Sequence, residues 1–97
     1  MATLHVSNIV KNYDSWKRTF DKFEEARKDR GVRSYRIARG DERPTRVIVD
    51  LDFDSTTRAE EFAEFLRGVM NTPQAKQELV EHDAPVVLEV MEERQLV

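Results

Sequence analysis

The order in which the hydrophobic period changes along the chain restricts its fold more than any single motif does. Apolar and polar residues alternate over Thr3–Val10, then apolar residues recur every three or four positions over Tyr13–Arg30. Alternation returns over Val32–Arg39 and Thr45–Phe53, helical spacing runs from Thr57 to His82, and a last alternating stretch covers Pro85–Val90. Period 2 sends successive side chains to opposite faces of a strand; period 3.6 lines them along one stripe of a helix. The succession reads βαββαβ with an extra short helix before the last strand, an α+β chain. Two right-handed strand–helix–strand excursions then give a four-stranded antiparallel sheet in the order 4-1-3-2, helices on one face.

Local signals punctuate these segments. Asn12 and Asp14 mark the turn into the first helix, with Asp14 the expected N-cap, and Gly31 is its left-handed end. Tyr13, Trp16, Phe20 and Phe23 form one stripe, continued by Ala26 or Arg27, which something apolar must cover. Thr57 and Glu60 have capping-box spacing, with Asp54 and Ser55 as rival caps. Thr72-Pro73 reads as an N-cap followed by Pro at N1, opening a short helix through Leu79 and Val80. His82, beside Asp83, is expected to sit as a cap near the end of that helical stretch.

Ninety-seven residues form one domain, 1–97, of a size at which a partner subunit helps to bury a core. With no cysteine, neither a disulfide framework nor a thiolate zinc site is open to it. No apolar run reaches the roughly 20 residues that span a bilayer, and Met1–Ile9 lacks the basic start of a signal peptide, so a soluble cytoplasmic protein is expected. Charge is segregated: residues 27–46 carry eight bases against Asp29, Asp41 and Glu42, while residues 47–97 carry twelve acids against four bases. Such segregation suits an anion-binding surface, solvated faces, or opposite surfaces that meet when subunits associate.

Alternation also divides the sheet into two faces. Leu4, Val6, Tyr35, Ile37, Val47, Val49, Leu51, Phe53, Val86, Leu88 and Val90 are assigned to the helices. The other face then shows Thr3, His5, Ser7, Ser34, Arg36, Ile48, Asp50, Asp52, Val87, Glu89 and Met91, too apolar for ordinary surface and too polar for core. Strand order puts His5 beside Asp50 or Asp52 on one side and Glu89 or Met91 on the other. An imidazole between carboxylates is favoured in its charged form and can act as a base or hold a polar ligand. The competing reading is a structural network in which His5 satisfies a buried carboxylate and Arg36 completes the set. Trp16 is likewise open to two roles, a pocket wall with a free indole N–H or an anchor of helix to sheet.

Other chemistries find little support. A metal site from His5, Asp50 and Glu89 lacks a helical His pair or any ligand-spacing motif, so no metal is expected. No Gly-rich loop follows a strand, and no nucleophile elbow occurs. RNA-binding βαββαβ domains stack bases on open-face aromatics of the third strand; here that strand reads Arg46-Val47-Ile48-Val49-Asp50-Leu51-Asp52-Phe53, with acids on that face, and nucleic-acid binding is not expected.

Several stretches carry a resemblance: His5-Val6, Asn12-Tyr13-Asp14-Ser15-Trp16-Lys17 with Phe20-Asp21, Arg46 through Ser55, Ala59-x-x-Phe62, and the short helix at Pro73. Over nearly its whole length the chain resembles the dimeric α+β-barrel superfamily, ferredoxin-like proteins related to antibiotic-biosynthesis monooxygenases. The resemblance implies a homodimer whose helix-free faces pack into a barrel and share a cavity-lining role. It also implies either cofactor-free oxygenation or cyclisation of a small aromatic or polyketide-like molecule, or a non-catalytic ligand-binding or stress-related module. On the enzyme reading His5 is the base, oriented by Asp50 or Glu89, with Trp16, Phe20, Arg36, Ile48 and Met91 around the ligand and no cofactor. A haem-degrading branch uses an Asn, a Trp and a His, and Asn8, Trp16 and His82 are available here.

Overall fold

The computed structural model describes residues 1–97. Its elements are β1 (Ala2–Val10), α1 (Tyr13–Asp21), α2 (Glu24–Asp29), β2 (Ser34–Arg39), β3 (Arg46–Phe53), α3 (Thr56–Met70), α4 (Pro73–Glu78), β4 (Leu79–His82) and β5 (Val86–Glu89). All strand pairs are antiparallel. The sheet runs β2-β3-β1, and the far edge of β1 is shared by β4 at one end and β5 at the other. The expected fold class holds, but the fourth position of the sheet is filled by two short strands, making five in all.

The central strands alternate as their sequences dictate. Ala2, Leu4, Val6, Asn8 and Val10 are buried on β1 while the residues between them are half-exposed, and β3 buries Val47, Val49, Leu51 and Phe53. Helix α3 lays Ala59, Phe62, Ala63 and Met70 on this face, and the Phe53 and Phe62 rings meet at 5.6 Å. Burying such side chains contributes roughly 1.5–3 kcal/mol each, which makes this face the source of stability.

Four local expectations are corrected. The first helix is two helices, because the chain turns at Lys22 and Phe23 and Arg27 donates from Nη2 to the Phe20 carbonyl at 2.8 Å. Its N-cap is Asn12, whose side chain accepts from Ser15 N at 2.9 Å, rather than Asp14. Ser55 caps α3, accepting from Arg58 N, so Thr57 lies inside the helix. The last helix is opened by Thr72 and Pro73 as expected but stops at Glu78. Leu79–His82 instead pairs with Asn8–Val10, supplying partners that the outer edge of β1 otherwise lacks. His82 is therefore an exposed strand residue and caps no helix. Gly31 does adopt a left-handed φ of 93° at the end of the helical segment.

The last strand carries the most consequential correction. Val86 pairs with His5, Val87 with Leu4, Leu88 with Thr3 and Glu89 with Ala2. Directly opposed residues share a face, so Val87 packs on the core while Val86 and Leu88 join the open face. The assigned faces of this strand are reversed: Glu89 is not beside His5, and Met91 lies beyond β5, 84% exposed.

Candidate functional site

Two arrangements of side chains on opposite sides of the sheet bear on function. On the open face the residues form rows across the strands. Arg36, Asp50, His5 and Val86 stand in one row by register, and His5 Nδ1 lies 2.7 Å from Asp50 Oδ1. A carboxylate only accepts, so Nδ1 donates to it. In the next row Asp52 accepts from Thr3 Oγ1 at 2.7 Å and from Ser34 Oγ at 3.0 Å. Ile48 stands between Ser7 and Ala38 in register, and Ser7 Oγ accepts from Arg46 at 3.3 Å. The row thus holds His5 between Asp50 and an apolar residue, not between two carboxylates.

The helix side holds a cavity of about 110 Å³. Strand residues Val6, Val49 and Leu51 form its floor, and Trp16, Phe20 and Phe23 wall one side. Phe62, Phe65 and Met70 of α3 close another, and Ala75, Glu78 and Leu79 lie along the α4 end. The aromatic stripe read from the sequence makes this wall: Tyr13–Trp16, Trp16–Phe20 and Phe20–Tyr35 ring centroids are 5.9, 5.0 and 5.3 Å apart. Trp16 is at once core and cavity wall, 7% exposed.

Four polar residues line this largely apolar space, Asn8, Thr19, Arg27 and Glu78. Asn8 is 5% and Arg27 4% exposed, and Asn8 Oδ1 and Arg27 Nε are buried without a hydrogen-bond partner. An unmade hydrogen bond on a buried group costs roughly 1–3 kcal/mol, so such groups are usually satisfied. Arg27 is held by its other atoms: the guanidinium lies 3.7 Å from the Phe20 ring centroid and 5.1 Å from that of Tyr35, and the nearest Glu24 oxygen stands 3.9 Å from Nε. Glu24 accepts from Tyr35 Oη at 2.9 Å through Oε2, and its Oε1 faces Arg27 within ion-pair range but beyond a hydrogen bond. Burial, and then that bond, hold the Tyr35 phenol above its usual 10.0. Glu78 accepts from Ser15 Oγ at 2.9 Å.

The residues named from the sequence therefore divide. His5, Asp50, Arg36 and Ile48 share the open face; Trp16 and Phe20 line the cavity on the opposite side; Glu89 and Met91 join neither. A sheet stands between His5 and the aromatic wall, so they cannot serve one reacting molecule within a protomer. Of the Asn, Trp and His combination, Asn8 and Trp16 reach the cavity and His82 does not. The sequence reading does not bring Asn8 and Arg27 together at one place; the structure does. Their signal was a polar residue in the buried phase of β1 and a charge on the aromatic stripe.

Several solved structures share this architecture. A candidate antibiotic biosynthesis monooxygenase from Nitrosomonas europaea superposes with a TM-score of 0.67 at 16% identity, covering 95% of this chain and all of that one. Another from Deinococcus radiodurans gives 0.63 at 10% identity, with 100% and 99% covered. A dimeric ferredoxin-like protein from an uncultured marine organism gives 0.60 at 12% identity, with 96% of each chain covered. No protein-family model matches the chain, and no curated protein is similar to it. The chain has the ferredoxin-like fold of the antibiotic-biosynthesis-monooxygenase-like proteins. No helix is long and apolar enough to cross a membrane.

Proposed function

We propose that the chain is a homodimeric small-molecule-binding protein whose ligand occupies the cavity beneath the helices. The observation that carries this reading is the pair of buried, unpartnered polar atoms, Asn8 Oδ1 and Arg27 Nε, in an otherwise apolar space. Binding sites are typically apolar concavities with a few convergent polar groups. Size limits the occupant. Sites for drug-sized ligands run to about 300–1,000 Å³, whereas an apolar cavity of about 150 Å³ accepts benzene in another protein. About 110 Å³ suits the buried part of one ring, not a tetrapyrrole or a fused polyketide.

Association through the open face accounts for its composition: Ile48 of β3 and half-exposed Val86 and Leu88 of β5 all stand on it. The edge strands are also opposite in charge, with Arg36 and Arg39 on β2 and Glu81 and Glu89 on β4 and β5. A two-fold axis can bring unlike edges together. The His5–Asp50 pair then fixes register at the interface. The marine protein of this fold is itself dimeric, which supports the reading.

A second reading is favoured by Glu78. It is the cavity's carboxylate, able to take a proton from a bound phenol, and the two neighbours described as candidate monooxygenases suggest cofactor-free oxygenation or cyclisation. Native mass spectrometry of the purified protein tests the principal reading. The expected result is a dimer retaining a small molecule that Asn8→Leu loses and His5→Ala keeps; the reverse pattern overturns it. Oxygen uptake with single-ring phenols, lost in Glu78→Gln, would select the oxygenase reading.

A further inference from the structure

We infer that the cavity takes a single-ring aromatic acid as its anion, with the carboxylate on Arg27 and a ring hydroxyl on Asn8. This rests on the cavity being the binding site and adds the chemical class of its occupant. The charge is decided by Arg27. Its guanidinium is buried against Phe20 and Tyr35, and its Nη2 is taken by the Phe20 carbonyl. Its nearest counter-ion, Glu24, stands 3.9 Å from Nε and accepts from Tyr35. A buried cation requires both a hydrogen-bond acceptor and an opposite charge close by. Glu24 lies in ion-pair range but too far to make that bond; a neutral ligand oxygen would make an ordinary one, and a carboxylate a shorter, charge-assisted one.

The aromatic ring follows from the walls. Trp16, Phe20, Phe23, Phe62 and Phe65 present ring faces and edges to a volume near that of one ring. The hydroxyl follows from Asn8, whose free Oδ1 is an acceptor and so calls for a donor. Glu78, held by Ser15, repels an acid end and directs it toward Arg27.

The lone tryptophan, Trp16, stands in the cavity wall and reports occupancy by its fluorescence. The wild-type protein is titrated with benzoate, benzyl alcohol and the three hydroxybenzoates, and the titrations are repeated on Arg27→Met and Asn8→Leu. Benzoate is expected to bind wild type about tenfold more tightly than benzyl alcohol, in keeping with a charge-assisted hydrogen bond. Arg27→Met should remove that preference. At least one hydroxybenzoate should bind better than benzoate and lose its advantage in Asn8→Leu. Benzyl alcohol binding as well as benzoate overturns the anionic class while leaving the cavity as the site. No response of Trp16 to any of the five compounds overturns both. Should Arg27→Met fail to fold, the wild-type comparison of acid with alcohol still decides.

Discussion

The two faces of one sheet, built from alternate residues of the same strands, solve opposite problems. On the helix face, Leu4, Val47, Val49, Leu51 and Phe53 are excluded from water, and the exceptions are the two polar groups of the cavity. On the open face the polar groups pair with each other: His5 with Asp50, Asp52 with Thr3 and Ser34, Ser7 with Arg46. Unmade bonds thus collect where burial makes them costly, and satisfied bonds where water could have served. Stability alone would arrange the faces the other way. On the function proposed above, the cost in stability on the helix side would be offset by a ligand, and the open side would be covered by a second copy of the chain.

The contrast can be broken in several ways. The largest effect is expected from Leu4→Ala, which opens a hole in the core and should lower unfolding free energy by about 2–5 kcal/mol in a urea titration. Ile48→Asp comes next. It should turn dimer into monomer by sedimentation, because a lone carboxylate would be buried in the interface, while ligand titration through Trp16 stays unchanged. His5→Ala removes one hydrogen bond of a half-exposed pair and should cost roughly 0.5–1.5 kcal/mol, with weaker association. A loss as large as that of Leu4→Ala would show that the two faces do not differ in the way described.

Asn8→Leu sharpens the comparison because its sign is unusual. Replacing a buried, unpartnered acceptor by an apolar group should raise stability, by about 1 kcal/mol, while abolishing any bond to a ligand. A drop in stability would mean that Asn8 serves the fold. The smallest effect concerns Tyr35. Its folded-state phenol is raised above 10.0 by burial and by Glu24, so folding favours the neutral form. Its contribution is complete below pH 10.0 and is lost as pH rises through the raised value. Tyr35→Phe should remove that part of the alkaline decline in thermal unfolding temperature.

Legibility in the sequence followed the strength of alternation. In β1 and β3 enough apolar and polar residues take turns, Ala2 through Ser7 and Val49 through Phe53, for the faces to be legible, while the register is legible only to Asp50 or Asp52 opposite His5, of which the structure has Asp50. In the last strand only Glu89 interrupts the apolar residues from Val86 to Met91, whereas the run Val47-Ile48-Val49 of β3 is followed by Asp50, Leu51, Asp52 and Phe53, which set its phase. Only pairing with β1 sets the phase of the last strand, which is why the sequence does not place Glu89 correctly. Leu79–His82 continued a helical spacing but was drawn into the sheet by an edge that sequence does not display. The cavity was hidden for another reason. Its wall was visible as the aromatic stripe, but the space depends on how α1, α3 and α4 settle over the strands.

The interleaving in β1 has a consequence for how such a protein can change by descent. Even-numbered positions from Ala2 to Val10 serve the interior, and odd-numbered ones from Thr3 to Ile9 serve the outer face. On the function proposed above, substitutions at one parity would retune what is bound while those at the other would retune association, with neither lineage of change disturbing the other. A single-residue deletion inside the strand would exchange both sets at once. Point substitution is an open road for this strand, and a one-residue indel is closed.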